Sequence, residues 1–276
     1  MINMVRTLAA VASLAVATPA IAAGANVEID YQNWSFAGPF GSFDRGQLQR
    51  GFKVYAENCS ACHGLRLVAF RNLAEEGGPS FTEDQAKVIA SDYVVVDGPD
   101  DFGEMYERPA ILADRFPSPF PNEQAARAAN TGAYPPDFSL LANARAAPRG
   151  FPGFVFDIFT QYQENGPDYI YSLLTGYVEP PEGLEVPDGQ YYNHSFLAGE
   201  FISMAQPLYD ESVEYTDGTP MTMEQYAKDV SAFMMWAAEP HLEQRKKTGF
   251  RVMVFLIIFA GMLYFTKKQL WRDVEH

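Results

Sequence analysis

Apolar positions in this chain follow two helical stripes and two unbroken runs. Leu48, Phe52, Tyr55 and Cys59 recur at spacings of four, three and four, the period of one helix face, with Ser42 or Asp44 upstream as an N-cap. The stripe predicts a helix whose buried face ends at Cys59. Tyr226, Val230, Phe233 and Ala237 form a second stripe; Thr222 is its expected N-cap, Gln225 completes a capping box, and Pro240 ends it. "GPDYIYSLLTG", from Gly166 to Gly176, reads as a short helix closed by glycine and followed by the acidic, proline-rich loop "VEPPEGLEVPDG". Between Pro79 and Pro152, short helical runs ("EDQAKVIASDY", "NEQAARAAN") alternate with "FPSPFP" and "YPPD", so this segment is expected to be mostly irregular. The fold class is mainly α with long irregular loops.

The two unbroken runs lie near the ends. Arg6 precedes "TLAAVASLAVATPAIAAG", with an Ala-x-Ala pattern at Ala20-Ile21-Ala22, which predicts a secretory signal peptide over 1–23. Val252 to Phe265 carries no charge; extended back to Thr248 it is interrupted only by Arg251, whose long stem can return its head to an interface. Lys246-Lys247 and Lys267-Lys268 bracket the run, and Tyr264 and Trp271 resemble interfacial anchors. The expectation is one transmembrane helix over 241–268. Counting cations does not orient it, because Arg245, Lys246, Lys247 and Arg251 outnumber Lys267, Lys268 and Arg272. The export signal does: residues 24–240 form a periplasmic domain, 269–276 a cytoplasmic tail, and the helix crosses a bacterial inner membrane.

Composition adds a core and a sign of charge. The 276 residues are 47% hydrophobic and 20% charged, enough for one large folded domain. A net charge of −15 argues against nucleic acid and suits a cationic partner. Acidic clusters at Asp97 to Glu107, Glu179 to Asp188 and Asp210 to Asp217 are candidate docking faces, or simply solvated surface.

The chemistry concentrates in "AENCSACHG", which holds both cysteines. Cys59-x-x-Cys62-His63 is the attachment motif of a c-type haem: two thiols three residues apart add to the vinyl groups, and the next residue, a histidine, ligates the iron. A zinc site would need further ligands, and a dithiol redox centre has no need of His63. With both thiols used, no disulfide remains. The second axial ligand separates electron transfer from gas or peroxide chemistry. Met105, Met204, Met221 and Met223 lie outside the leader and the membrane-associated segments; Met204, in "FISMAQPLYD" before Pro207, is the best placed to present a thioether from a fixed loop.

"RGFKVYAENCSACHG", "ARAANTGAYPPDFS", "DYIYSLLTGYVEPPEG", "MAQPLYDESVEYTDGTP", "DVSAFMMWAAEP" and "RKKTGF" before a terminal span occur in an order that resembles the cytochrome c1 family, the haem subunits of ubiquinol–cytochrome c reductase (the cytochrome bc1 complex). The resemblance covers nearly the whole sequence after the leader. It implies a c-type cytochrome haem domain plus one C-terminal transmembrane helix and one covalently bound haem c, with His63 and Met204 as axial ligands and Cys59 and Cys62 as thioether residues. It implies that Arg127 pairs with a haem propionate and that Pro135 and Pro136 line the pocket. His194 and His241 match no family ligand. The implied partners are the Rieske iron–sulfur protein as donor, a soluble or membrane-anchored c-type cytochrome as acceptor, cytochrome b and membrane lipid. The chain would be a redox subunit, not a catalyst alone. Gln206 stands where the family commonly has proline, implying a less stiff ligand loop, and the additional cysteine pair of some bacterial members is absent. The alternatives are a free-standing anchored electron carrier, a five-coordinate haem enzyme or gas sensor, and a zinc or dithiol module.

Overall fold

The computed structural model describes Val27 and residues 29–273 other than Pro148 and Gln161. The expected leader, residues 1–23, and the last three residues of the expected tail lie outside the described residues.

Helix α1 spans Arg45–Val54 and starts where Asp44 accepts a hydrogen bond from the Gln47 amide at 2.9 Å, so of the two candidate caps the aspartate serves. Its last turn widens into a π turn, Tyr55–Cys59, in which the Ser60 amide reaches back to the Tyr55 carbonyl. A 3₁₀ turn (Phe70–Ala74) and α2 (Glu83–Ser91) follow. The segment expected to be irregular also contains an antiparallel hairpin of β1 (Val94–Asp97) and β2 (Tyr106–Pro109), paired Val94 to Pro109 and Asp97 to Tyr106. β1 alternates between exposed and half-buried positions, but its sequence "VVVD" carries no apolar–polar alternation, which is why periodicity missed it. Next come α3 (Glu123–Ala129), a 3₁₀ turn (Phe138–Leu140), α4 (Leu141–Ala144), α5 (Gly153–Thr160) and α6 (Asn165–Thr175), closed by Gly176. A two-residue hairpin, β3 (Tyr191–Tyr192) with β4 (Phe201–Ile202), precedes α7 (Met223–Ala238) and α8 (Leu242–Leu270).

Helices α1, α6 and α7 form the core. The stripe Tyr226, Val230, Phe233 and Ala237 is buried as expected, against Leu48, Phe52 and Tyr55 of the first stripe; Phe52 and Phe233 meet edge-on at 5.7 Å. α1 and α7 approach closely because Gly51 has no side chain: a Cβ there would lie 2.1 Å from the Asp229 carbonyl oxygen. The Asp229 carboxylate is fully buried at this crossing and accepts from Arg50 (2.8 Å), Gln47 (3.1 Å), Gln225 (2.8 Å) and Tyr215 (3.0 Å). Gln225 is thereby drawn off its expected task. Thr222 caps α7 by accepting from the Gln225 amide, but the reciprocal half of the capping box is missing, because the Gln225 side chain serves Asp229. A complete box forms instead at Thr82 and Gln85, heading α2.

A second buried carboxylate ties the first described segment to α6. Asp168 accepts from the Gln32 amide and the Trp34 indole, both at 2.8 Å, and from the Tyr162 hydroxyl. Burial raises its pKa from the usual carboxylate value, and these donors oppose the rise.

α8 has 29 residues and so extends about 43 Å at ~1.5 Å per residue, long enough to cross the ~30 Å apolar layer of a bilayer. Its apolar side chains from Val252 to Phe265 face outward, away from the domain. The architecture is therefore a mainly helical domain, with long loops, carried on one exposed apolar helix.

Candidate functional site

A cavity of about 700 Å³ opens between the end of α1, the loop before α4, and helices α6 and α7. That is within the ~300–1,000 Å³ of typical cofactor sites. Cys59, Cys62, His63, Pro135, Pro136 and Met204 all line it, although they come from three separate stretches of chain.

The π turn delivers the first three. After it, the Cys62 and His63 amides both bond to the Cys59 carbonyl (3.1 and 2.9 Å), which folds the motif into a tight turn leaving the helix. Cys59 is buried beneath this turn and Cys62 is exposed; both are free thiols. Burial pushes the Cys59 thiol up to about 12, so it stays protonated and compact.

His63 is fixed on two sides. Its Nδ1 lies 2.8 Å from the Pro136 carbonyl, an acceptor only, so Nδ1 carries the proton and Nε2 keeps its lone pair. Burial lowers its pKa and favours this neutral imidazole, against smaller opposing effects from that hydrogen bond and from Asp137. Phe138 stacks on the ring, with centroids 4.3 Å apart and planes at 25°. Backbone and carboxylate clips hold the Pro135–Ser139 stretch to the motif: the Phe138 amide donates to the Gly64 carbonyl (2.8 Å), and Asp137 accepts from the Arg66 and Ser139 amides. Gly64 is required by this approach, since a Cβ there would lie 2.9 Å from Asp137 Oδ2. The two prolines thus do more than line the pocket: one of them supplies the carbonyl that sets the histidine tautomer.

Met204 follows β4 by two residues, and the Tyr177 hydroxyl donates to its backbone carbonyl at 3.0 Å. Gln206, expected to loosen this loop, instead cross-braces it. Its amide nitrogen donates to the Leu208 carbonyl (3.0 Å) and contacts Met223 Sδ at 3.4 Å. A second thioether that the sequence reading set aside, Met234, also lines the cavity. It lies on α7 one turn after Val230 and is 1% exposed within the core, whereas Met204 is half-buried on a loop.

Arg127 does not line the cavity. Its guanidinium is held by Glu123 at 2.7 Å and by the Gly132 carbonyl at 2.9 Å, on the exposed face of α3. The cavity-lining arginine is Arg145, which follows α4 and whose guanidinium bonds only to the adjacent Ala144 carbonyl among the described residues. It sat ten positions after Pro135, outside any periodic pattern, and the topology rather than a motif carries it to the rim. His194 contacts the Ser195 hydroxyl, and His241 precedes α8 on the surface. Among the described residues, no group of three or more His, Cys, Asp or Glu side chains gathers as a metal site.

These residues fit a c-type haem. Two free thiols lie at the mouth and floor of one cavity, an imidazole is tautomerically set with Nε2 unused, and thioethers stand in an otherwise largely apolar wall built from Ile170, Leu174 and Val230.

Residues 34–274 match the Cytochrome C1 family. The chain is 62% identical over 241 residues to "Cytochrome b/c1" of Bradyrhizobium diazoefficiens, covering 87% of the chain but only 35% of that longer protein. It is 49% identical to "Cytochrome c1" of Blastochloris viridis, over 99% of the chain and 97% of the relative. To "Cytochrome c1, heme protein, mitochondrial" of Schizosaccharomyces pombe it is 46% identical, over 88% of the chain and 72% of the relative.

Proposed function

The chain belongs to the cytochrome c1 family and is an electron-transfer c-type cytochrome held in the inner membrane by α8; from that premise we propose that it carries one haem c, joined through Cys59 and Cys62. His63 Nε2 and the Met204 thioether would ligate the iron, Pro135 and Pro136 would wall the pocket, and Arg145, which lines the cavity where Arg127 does not, would pair with a carboxylate of the group. The carrying observation is the convergence of Cys59, Cys62, His63 and Met204 on one cavity.

When bound, the haem supplies a one-electron iron couple whose potential is raised by thioether–imidazole ligation. The protein's own residues do the rest. The Pro136 carbonyl holds the Nδ1 proton and orients the imidazole; Phe138 fixes the ring plane. Tyr177 and Gln206 hold the loop bearing Met204. With His63 and Met204 both holding the iron, it would offer no open site to the small ligands of a gas sensor or peroxidase.

The electron would come from a Rieske iron–sulfur protein and leave to a soluble or anchored c-type cytochrome, within a cytochrome bc1 complex that includes cytochrome b. The domains would be a leader over 1–23, a haem domain over 24–240, an anchor over 241–268 and a tail over 269–276. Among the acidic clusters, the loop bearing Glu179, Glu182, Glu185 and Asp188 leads directly into Gly189 and Tyr191 on the cavity rim. Asp97 and Asp217 of the other two clusters are already paired with Arg108 and Arg50. The 179–188 loop is therefore the docking face for a basic acceptor, acting mainly on association rate.

Two measurements test this reading. Complex purified through this chain in mild detergent should show b-type and c-type haem in fixed proportion; c-type haem alone would leave a free-standing carrier. Reduced Met204→Leu should bind carbon monoxide and show a lower reduction potential. An unchanged spectrum in that variant, with the change appearing in Met234→Leu, would move the ligand to α7.

A further inference from the structure

Four cations stand at the start of α8, on the side where topology predicts few, and the electron-transfer reading uses none of them. Arg245 is paired with Glu239 at 2.7 Å and reaches Gln163, and Lys246 donates to the Phe36 carbonyl. Lys247 and Arg251 have neither an ion pair nor a hydrogen bond among the described residues. Both line a cleft of about 310 Å³ between α8 and the loop before α1.

Among the described residues Glu243 is the only acid lining this cleft, and it is already engaged by Arg45 at 2.8 Å and by the Phe43 amide at 2.9 Å. The cleft is therefore cationic. Lys247, Phe250 and Arg251 succeed Glu243 at spacings that keep them on one face of α8. The opposing loop folds back sharply at Gly41, where a Cβ would lie 2.2 Å from the Ala37 carbonyl oxygen. That turn brings Phe40 edge-on to Phe250, with centroids 5.5 Å apart, although the two rings are 76% and 55% exposed. Exposed aromatics and unpaired cations thus sit together immediately before the uncharged run that begins at Val252, the depth at which a helix meets phospholipid headgroups.

We propose that this cleft binds the headgroup phosphate of an anionic phospholipid from the leaflet on the haem-domain side. Arg251 offers a planar fork and Lys247 a compact charge to the phosphate oxygens. The acyl chains lie along Phe250 and the exposed face of α8; free phosphate would leave that apolar surface uncovered. The proposal rests on reading α8 as a membrane anchor. A lipid held there bridges the anchor to the Phe36–Ser42 loop, which is joined through the Trp34–Asp168 hydrogen bond to α6 and the cavity wall.

The haem-loaded full chain in a neutral detergent is titrated with dioctanoyl phosphatidylglycerol and followed by native mass spectrometry. Wild type should prefer this lipid to dioctanoyl phosphatidylcholine by at least about tenfold. Lys247→Gln/Arg251→Gln should weaken phosphatidylglycerol binding about thirtyfold, each juxtamembrane cation contributing about fivefold. Lys267→Gln/Lys268→Gln, at the other end of α8 and outside the cleft, should weaken binding clearly less than the first variant, and equimolar inorganic phosphate should not displace the lipid. Wild-type affinity in the first variant, equal loss in the second, or displacement by phosphate overturns the proposal. Haem absorbance of the same samples tests the electron-carrier reading, and partition of the chain into phosphatidylcholine vesicles tests the anchor, so each failure is separately visible.

Discussion

Replacing Gly51 by alanine probes the contact that holds the motif-bearing helix to the core. The new Cβ would lie 2.1 Å from the Asp229 carbonyl oxygen and 2.7 Å from Phe233 Cβ, whereas non-bonded carbons rest at ~3.5–4.0 Å. Both obstacles belong to α7 and neither is a flexible side-chain end, so α1 and α7 must part by about 1 Å. Overpacking of this kind costs ~1–3 kcal/mol. The Arg50–Asp229 bond at 2.8 Å and the Gln47–Asp229 bond at 3.1 Å span the same crossing and stretch with it; losing a buried pair outright costs ~3–5 kcal/mol. The helix-propensity gain of alanine over glycine returns up to ~1 kcal/mol. A net loss of roughly 2–4 kcal/mol lowers the melting temperature of a domain this size by about 10 °C, at ~2–4 °C per kcal/mol. The assay is thermal unfolding of the haem-loaded protein by circular dichroism. Gly46→Ala is the internal control, because its Cβ meets nothing closer than 3.4 Å and its melting temperature should hold or rise. If Gly51→Ala melts within 2 °C of wild type, the close crossing is not what fixes α1, and the placement of Cys59 must be explained otherwise.

Arg145→Gln should lower the reduction potential, since removing a cation near the haem favours the oxidised, more positive state; Arg127→Gln should change it much less, and redox titration of both variants distinguishes them. Asp217 is held at about 2 by hydrogen bonds from Thr219 and by Arg50. Its folded pKa is depressed, so its stabilisation is present above the unfolded value near 3.8 and is lost as pH falls toward 2. Denaturant unfolding should therefore show wild type losing more stability than Asp217→Asn between pH 5 and pH 2.5, with equal losses refuting the assignment. Glu182→Gln/Glu185→Gln should slow reduction of a basic c-type cytochrome at low ionic strength and leave the rate unchanged at high salt, measured by stopped flow.

Much of this protein was legible as local chemistry. The spacing Cys59, Cys62, His63 points to its own use, because both thiols and the imidazole lie within one turn of chain. Periodicity located α1 and α7 and their buried faces, a closing glycine located α6, and length with lack of charge located α8. Each of these depends on neighbours in sequence, and burial acts on such a stripe wherever the helix is placed. Position across the fold was another matter. Arg127 and Arg145 are alike in composition and local setting, yet only the path of the chain after Pro136 decides that Arg145 reaches the cavity. Met234 was set aside for its nearness to the membrane end, and only the packing of α7 against α6 turns it to the cavity wall. The tautomer of His63 depends on a carbonyl 73 residues away. Gln225 is a box-forming residue by sequence and a partner of buried Asp229 in fact, because satisfying a buried carboxylate outweighs completing an exposed cap. The sequence determined which side chains can do the chemistry; long-range packing decided which of them meet, since a contact between distant segments follows from the closing of the whole core and from no pattern within either one.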